Sequence, residues 1–217
     1  MRAAVPQMQS RKENNMNFGF IGAFIVFCIV VSHNIKKQAR QRRNKENAFW
    51  ARELESNSVR KKSLDSLPYI TIPLERFPTH LLPENATVME CIQTLEDLTT
   101  QKIVNLTGWS NTDLKLEYGT SNLTPLSEYD QNYTLLVRTL QKWADELIAA
   151  GYEKEAFPVM EFAVNTGTDI SSTYYKLADY WISRGDTFHI KQLIHTAEGL
   201  RSANRNSILR HLREKCG

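Results

Sequence analysis

Cysteine is scarce in this sequence, and signatures of catalysis are absent from it. The 217 residues include three cysteines, Cys28, Cys91 and Cys216, and no C-x-x-C pair. An odd and scattered set of this kind excludes a disulfide framework and fits a reducing compartment. The chain has no Walker loop, no G-x-S-x-G or H-E-x-x-H motif and no dinucleotide-binding fingerprint. We therefore expect a protein that is not an enzyme and that has no cofactor and no metal.

The histidines and the neighbouring acids supply no site either. His189 and His195 are six residues apart, which places them on different faces of a helix. Asp145 and Glu146 are neighbours on a predicted helix, where a solvated face explains the pair better than acid–base chemistry does.

Acidic residues are scarce in the first 62 positions, which hold 4 Asp/Glu against 13 Lys/Arg, a net charge of +9. Residues 63–217 hold 20 Asp/Glu against 14 Lys/Arg, a net charge of −6. This division predicts a basic arm attached to an acidic domain. Because phosphate contacts need a positive face, the acidic domain argues against nucleic acid as a partner.

Charge is missing altogether from the 22 residues between Glu13 and Lys36, whose centre reads FGFIGAFIVFCIVV. As a helix, residues 18–35 would span about 27 Å, just enough for a hydrocarbon core of roughly 30 Å. We predict a transmembrane helix over 18–35, preceded by a short extracytoplasmic N-terminus over 1–17. A cleaved signal peptide and a buried core helix are the alternatives, but no small-x-small cleavage site follows the run.

Basic residues crowd the C-terminal side of the apolar run. Because such flanks stay cytoplasmic, we expect a single-pass protein of the cell membrane, with its N-terminus outside and its C-terminal domain cytoplasmic, whether translation starts at Met1 or at Met16. The segment 36–62 is predicted to be a basic juxtamembrane helix or linker. Anionic lipid would attract its cations; a stop-transfer flank with a solvated linker is the alternative. The cations expected at the membrane surface are Lys36, Lys37, Arg40, Arg42, Arg43 and Lys45.

Proline spacing separates this arm from a helical domain. Prolines at positions 68, 73, 78 and 83 predict an extended, proline-rich strap over 63–83, packed on the domain of residues 84–217. A first helix is expected from about 84 to 100.

Residues 102–131 form an excursion rich in Gly, Asn, Ser and Thr. The alternation of Leu114, Leu116 and Tyr118 predicts a short strand, in a hairpin or a loop insertion. Because the excursion is long for a structureless loop, we expect it to be functional or packed upon itself.

Helical periodicity is regular after residue 131. Helices are predicted over 132–150, 152–164, 171–184 and 187–198. Residues of matching character stand 34 positions apart along them: Leu140 and Tyr174, Trp143 and Leu177, Ala144 and Ala178, Leu147 and Trp181, Gly151 and Gly185, Met160 and Ile194, Ala163 and Ala197. A 34-residue helix–turn–helix period is typical of tetratricopeptide repeats, and residues 137–202 resemble that family. Thr168 and Ile190 stand where the family has proline and alanine.

The resemblance implies repeats over 137–170 and 171–204 and a capping helix over 205–216; an ordinary antiparallel helical bundle is the alternative. In this family the concave side of the first helices receives extended or helical peptides. Asp145 and Asp179 favour a basic or apolar segment there, while a solvated face is the alternative. The matching positions are Arg138, Gln141, Asp145, Ile148, Ser172, Tyr175, Asp179 and Ile182.

The sequence thus predicts an all-α protein, and the resemblance implies a membrane-tethered cytosolic adaptor for protein–protein interaction. A structural subunit of a larger integral membrane complex is the alternative. The expected partners are the lipid bilayer and an unidentified protein or peptide, without nucleic acid or a small-molecule substrate. The stretches YITIPLERFP and NLTGWSNTDLKLEYG are similar to those of uncharacterised membrane-anchored proteins of clostridial-type bacteria, which implies no activity.

Overall fold

The computed structural model describes residues 18–216, with side chains for residues 22–215, so the predicted N-terminal segment 1–17 lies outside it. Over this range the regular structure is entirely helical, without a strand, which confirms the predicted class. The chain divides into two units, Met1–Arg52 and Glu53–Gly217. The helices are α1 (Phe18–Ser58), α2 (Ala86–Thr99), α3 (Asn111–Tyr118), α4 (Leu123–Ala149), α5 (Glu153–Asn165), α6 (Ser171–Ile182), α7 (Thr187–Glu198) and α8 (Arg205–Cys216).

The first unit consists of most of α1, which continues without a break to Ser58 and so covers 36–58 of the segment predicted as helix or linker. Its apolar side chains are exposed, including Phe24, Phe27 and Ile29. Within the part of the chain whose side chains are described, residues 22–215, no helix is long and apolar enough to cross a membrane. The span predicted over 18–35 begins before this range. The apolar run with described side chains covers only 22–31, about 15 Å of helix, before polar residues follow.

The second unit is built around two helix pairs, α4 with α5 and α6 with α7. Helix α2 packs on α4, α6 contacts α5, and α8 closes the far end against α6 and α7. The largest wholly buried side chains of the main core come from several of these helices: Leu95, Leu136, Leu140, Trp143, Leu147, Tyr174, Leu177, Ile208 and Leu212. Each such apolar side chain contributes roughly 1.5–3 kcal/mol through its removal from water.

The two helix pairs share one turn geometry. Gly151 and Gly185 both have left-handed backbones, with φ of 87° and 69°. The next residue in each case donates its N–H five residues back, from Tyr152 to the Leu147 carbonyl at 2.8 Å and from Asp186 to the Trp181 carbonyl at 3.0 Å. This is the Schellman arrangement that ends a helix. The two turn glycines, which the sequence places 34 residues apart, therefore have the same backbone conformation and the same hydrogen bond.

The strap packs on the domain as irregular chain with several turns and a short 3-10 helix at Leu74–Arg76, so it is extended only in part. Ile72 and Phe77 are buried in the main core, and the ring centroid of Phe77 lies 5.9 Å from that of Trp143. The backbone N–H of Ile70 donates to the Ile103 carbonyl at 2.9 Å, but no strand forms in the described residues.

The strand predicted around Leu114 is wrong, because these residues form α3. A capping box starts that helix: the Ser110 hydroxyl accepts from the Asp113 N–H, and the Asp113 carboxylate accepts from the Ser110 N–H. The excursion is indeed packed upon itself. Together with Leu67 of the strap, it forms a second, smaller apolar cluster around Val104, Leu106, Leu114 and Leu126.

Helix α4 begins nine residues before its predicted start at 132. Pro125 lies in its first turn, where backbone N–H groups have no partner within the helix. The polar run that resembled a loop is therefore the exposed face of a helix whose other face, at Leu126, is buried.

Candidate functional site

The described residues contain no group of three or more His, Cys, Asp or Glu side chains that could hold a metal ion. The candidate sites are therefore two clefts between helices.

The first is a cleft of about 330 Å³ between α4, α5 and α6, called the α4–α6 cleft. Its apolar lining consists of Ile148 from α4 and Met160 from α5. The remaining lining is polar and comes mainly from α6: Glu153, Lys176, Asp179, Tyr180 and Ser183. An apolar floor with a charged rim is a common composition for a surface that receives a peptide.

The structure gathers only part of the set predicted from the repeat. Ile148 and Asp179 line the α4–α6 cleft. Asp145 reaches its edge through Lys176, whose Nζ lies 2.5 Å from the Asp145 carboxylate. The other predicted positions do not line this cleft: Arg138, Gln141, Ser172, Tyr175 and Ile182.

Both acids of the predicted set have cationic partners from the same chain. Asp145 pairs with Lys176 of α6, and Gln141 donates a second hydrogen bond to the same carboxylate oxygen. Asp179 pairs with Lys215 of α8 at 2.9 Å. These pairs are about one-third to three-fifths exposed, so each contributes at most about 1 kcal/mol. A basic ligand that binds at these carboxylates would replace a lysine that already pairs with them.

Helix α8 also holds one of the predicted positions in place. The ring of His211 lies 3.8 Å from that of Tyr175, centroid to centroid. Sequence reasoning missed His211, Lys176 and Lys215 because the family resemblance supplies only the positions on the concave side of the first helices, and not the side chains that pair with them. A further step of 34 residues from Tyr174 reaches Ile208 and so predicts a helix there, but it does not predict which residues the side chains of that helix contact.

An aromatic cluster borders the cleft at the C-terminal end of α6. Tyr180 stacks on Phe157 with ring centroids 5.0 Å apart, and the Arg184 guanidinium lies 3.6 Å above the Tyr180 ring. Next to it, Trp181 stacks on His189 at 3.9 Å. These contacts keep Tyr180 at the rim of the cleft.

Asp186 fixes the start of α7 beside this cluster. Its carboxylate accepts the His189 backbone N–H at 3.1 Å and lies 2.8 Å from the His189 ring nitrogen Nδ1. The two hydrogen bonds lower the pKa of Asp186, the backbone bond most.

The second candidate is a groove of about 510 Å³ between the 104–110 loop, α3 and the first turns of α4. We call it the Trp109 groove. Leu106, Leu114 and Leu126 form its buried floor, and Trp109 is a half-buried wall. Its rim includes Glu128 and Asp130, both from α4. The sequence pointed to this region only as an excursion of unassigned role.

Searches of protein family models, of curated proteins and of solved structures find no match to this chain. The fold by itself shows an all-helical domain compatible with a helical repeat of the tetratricopeptide kind.

Proposed function

We propose that this protein is a membrane-tethered adaptor without catalytic activity, in which the helical second unit recruits a partner protein. The observation that carries the proposal is the α4–α6 cleft, an open surface formed where two helix pairs of equal turn geometry meet. Such repeated pairs commonly present their first helices to a partner.

The tetratricopeptide-like reading is part of the proposal. Positions 34 apart share their environment: Ala144 and Ala178 are both wholly buried, where small side chains let helices approach closely. Only two pairs show the period, so α2, the strap and α8 complete the core in place of further repeats.

The cleft suits a peptide segment of mixed character. Ile148 is partly exposed and offers an apolar contact, the Met160 side chain is buried, and Tyr180 stands at the rim. Glu153 and Lys176 give hydrogen-bonding groups of both signs around them. An occupant with one apolar side chain and flanking polar groups would leave few buried groups unpaired.

Filling the cleft should abolish partner capture. Ser183 is exposed at the cleft, where its hydroxyl donates to the Tyr180 carbonyl, so Ser183→Trp places a large ring in the cleft without altering the core. We expect crosslinking in native membranes, followed by mass spectrometry, to lose its main cytosolic partner, with a drop in yield of about tenfold or more.

The matched control is Ser207→Trp, an equal change at an exposed position of α8 outside the cleft, which should keep the full yield. An unchanged partner yield in Ser183→Trp would remove the cleft from the proposal. Recovery of integral membrane proteins alone, without a cytosolic partner, would favour a subunit of a membrane complex and contradict the adaptor.

The tether is proposed to be the apolar end of α1. Exposed aromatic and aliphatic side chains there, such as Phe24 at 66% and Phe27 at 63%, would be unfavourable in water. The proposal that this end spans the bilayer rests on the sequence, whose uncharged run begins at residue 14, and not on the described helices. The six cations between Lys36 and Lys45 follow the run at once and favour a cytoplasmic location for the second unit.

Protease added to intact cells, or to right-side-out vesicles, should leave the second unit uncleaved. The physical reason is that the positive flank is held on the cytoplasmic side. The measurement is immunodetection of a C-terminal epitope, and detergent permeabilisation is the control that must allow digestion. Digestion before permeabilisation would contradict the proposed orientation, and release of the chain by carbonate at high pH would contradict the span.

A further inference from the structure

The Trp109 groove has the shape of a docking surface. Its floor lies in the smaller apolar cluster, where Leu106, Leu114 and Leu126 are buried. At about 510 Å³ it is larger than the α4–α6 cleft. Its polar lining comes from one residue of α3 and several of α4: Asn111, Thr124, Ser127, Glu128, Asp130 and Gln131.

Trp109 lines one side of the groove, and its contacts within the chain hold it in place. Its backbone N–H donates to the Leu106 carbonyl at 3.0 Å, which closes a tight turn, and the Arg201 guanidinium lies 5.6 Å from its ring. Gly108 makes this turn feasible, because a Cβ there would meet the Arg201 Cβ at 2.6 Å. A tryptophan held in a fixed position and half exposed is the residue type that most often dominates binding energy at an interface.

The rim of the Trp109 groove is acidic, and among the described residues neither of its carboxylates has an ion-pair partner. Glu128 and Asp130 line it, and no lysine or arginine of the described residues does. No ion pair within the described part of the chain involves either carboxylate. Asp130 accepts only the Leu106 backbone N–H, at 3.1 Å, in a bond that joins α4 to the 104–110 loop.

The unpaired state of its carboxylates among the described residues distinguishes the Trp109 groove from the α4–α6 cleft. There, Asp145 and Asp179 already have lysine partners from the same chain, so a basic ligand gains little. At Glu128 and Asp130 an incoming cation forms a new pair. The expectation of a basic or apolar segment, which the sequence attached to the repeat face, therefore suits this groove better.

We propose that the Trp109 groove binds a basic segment of a partner protein, placing an aliphatic or aromatic side chain against Trp109 and the leucine floor and lysine or arginine beside Glu128 and Asp130. The inference rests on the proposed protein-binding function, to which it adds a second surface and the chemistry of its ligand. Two carboxylates with an apolar floor suit such a segment better than a metal ion, which requires more ligands than these.

The test is binding of fluorescent peptides to the full chain in nanodiscs of zwitterionic lipid, measured by anisotropy. Three peptides separate the contributions: KRLKFRK, EELEFEE with reversed charge, and KRAKARK without the large apolar side chains. We expect KRLKFRK to bind best, and its affinity to fall as salt is raised.

Glu128→Gln with Asp130→Asn should weaken KRLKFRK binding by about fivefold. The asparagine oxygen still accepts the Leu106 N–H, so the loop stays in place, and far-UV circular dichroism checks this. The matched control is Glu84→Gln with Glu96→Gln, which removes the same charge at exposed positions outside the groove. Trp109→Ala should weaken binding by about tenfold or more.

Results that differ from these expectations would overturn the inference, and each would identify a different cause. Equal losses in the two double variants would show attraction to the acidic domain as a whole. Loss of KRLKFRK binding in Ser183→Trp, with the groove variants unchanged, would place the segment in the α4–α6 cleft. Absence of peptide binding, alongside a cytosolic partner crosslinked to the same protein, would overturn this inference while leaving the proposed function intact.

Discussion

Trp143→Ala should lower the free energy of unfolding of the second unit by about 3–5 kcal/mol. The Trp143 side chain is wholly buried where α4 meets the strap, with the Phe77 ring edge-on against it. Truncation to Ala removes the largest side chain of the main core and leaves a cavity that helices on several sides cannot all close. Urea unfolding followed by far-UV circular dichroism measures the loss.

A second variant, Trp143→Phe, separates the contribution of the indole N–H from that of packing. The indole Nε1 is buried and has no hydrogen-bond partner among the described residues, so its removal breaks no hydrogen bond. We expect a loss of only about 1–2 kcal/mol from the smaller ring. If Trp143→Phe lowered the free energy of unfolding as much as Trp143→Ala does, the indole N–H would have a hydrogen-bond partner. Packing would then not be the main role of Trp143.

Gly119→Ala should be nearly as damaging, at about 3 kcal/mol or more. Gly119 has φ 86° and ψ 150°, a region that side chains other than glycine essentially do not adopt. In addition, a Cβ would meet the Arg60 carbonyl oxygen at 2.6 Å and its carbon at 2.8 Å. Both contacts are with backbone, so no side-chain rotation relieves them.

The matched control for Gly119 is Gly151→Ala. Gly151 has nearly the same φ, 87°, but a Cβ would meet nothing within 4 Å. Gly151→Ala should lower the free energy of unfolding by only about 1–2 kcal/mol, because alanine must adopt the left-handed conformation there. The difference between the two variants therefore measures the close approach of residues 60–61 to the end of α3 together with the glycine-only ψ of Gly119.

Hydrogen exchange gives Gly119→Ala a local signature. The Lys62 N–H donates to the Tyr118 carbonyl at 3.0 Å, and the Asn122 side chain donates to the Lys62 carbonyl at 2.7 Å. Protection of the Lys62 amide should fall in Gly119→Ala and persist in Gly151→Ala. Equal stability of the two variants would contradict the close approach.

Helices α5 to α8 could be predicted from the sequence almost to the residue. The predicted bounds 187–198 and 205–216 are those of α7 and α8, and α5 and α6 differ by two residues or fewer. The reason is that each helix buries one stripe at 3.6-residue spacing and ends at a clear break such as Gly151 or Gly185.

The excursion could not be predicted, because its periodicity is too short to decide between helix and strand. Leu114 and Leu116 alternate over only eight residues, and α3 is decided by its capping box at Ser110. The site has a similar limit. The pairing of Asp145 with Lys176 and the absence of a cation at Glu128 depend on which helices meet, which no local pattern contains.

Helix α4 belongs to two apolar clusters at once. Near its start, Leu126 packs in the small cluster of the excursion, while residues from Tyr133 onward pack in the main core. The small cluster buries far fewer side chains, so the excursion and the first turns of α4 should open at a lower free energy than the helix pairs. Occupation of the Trp109 groove would then raise the free energy of this local opening and show as slowed amide exchange in the first turns of α4, while exchange in the helix pairs stays unchanged.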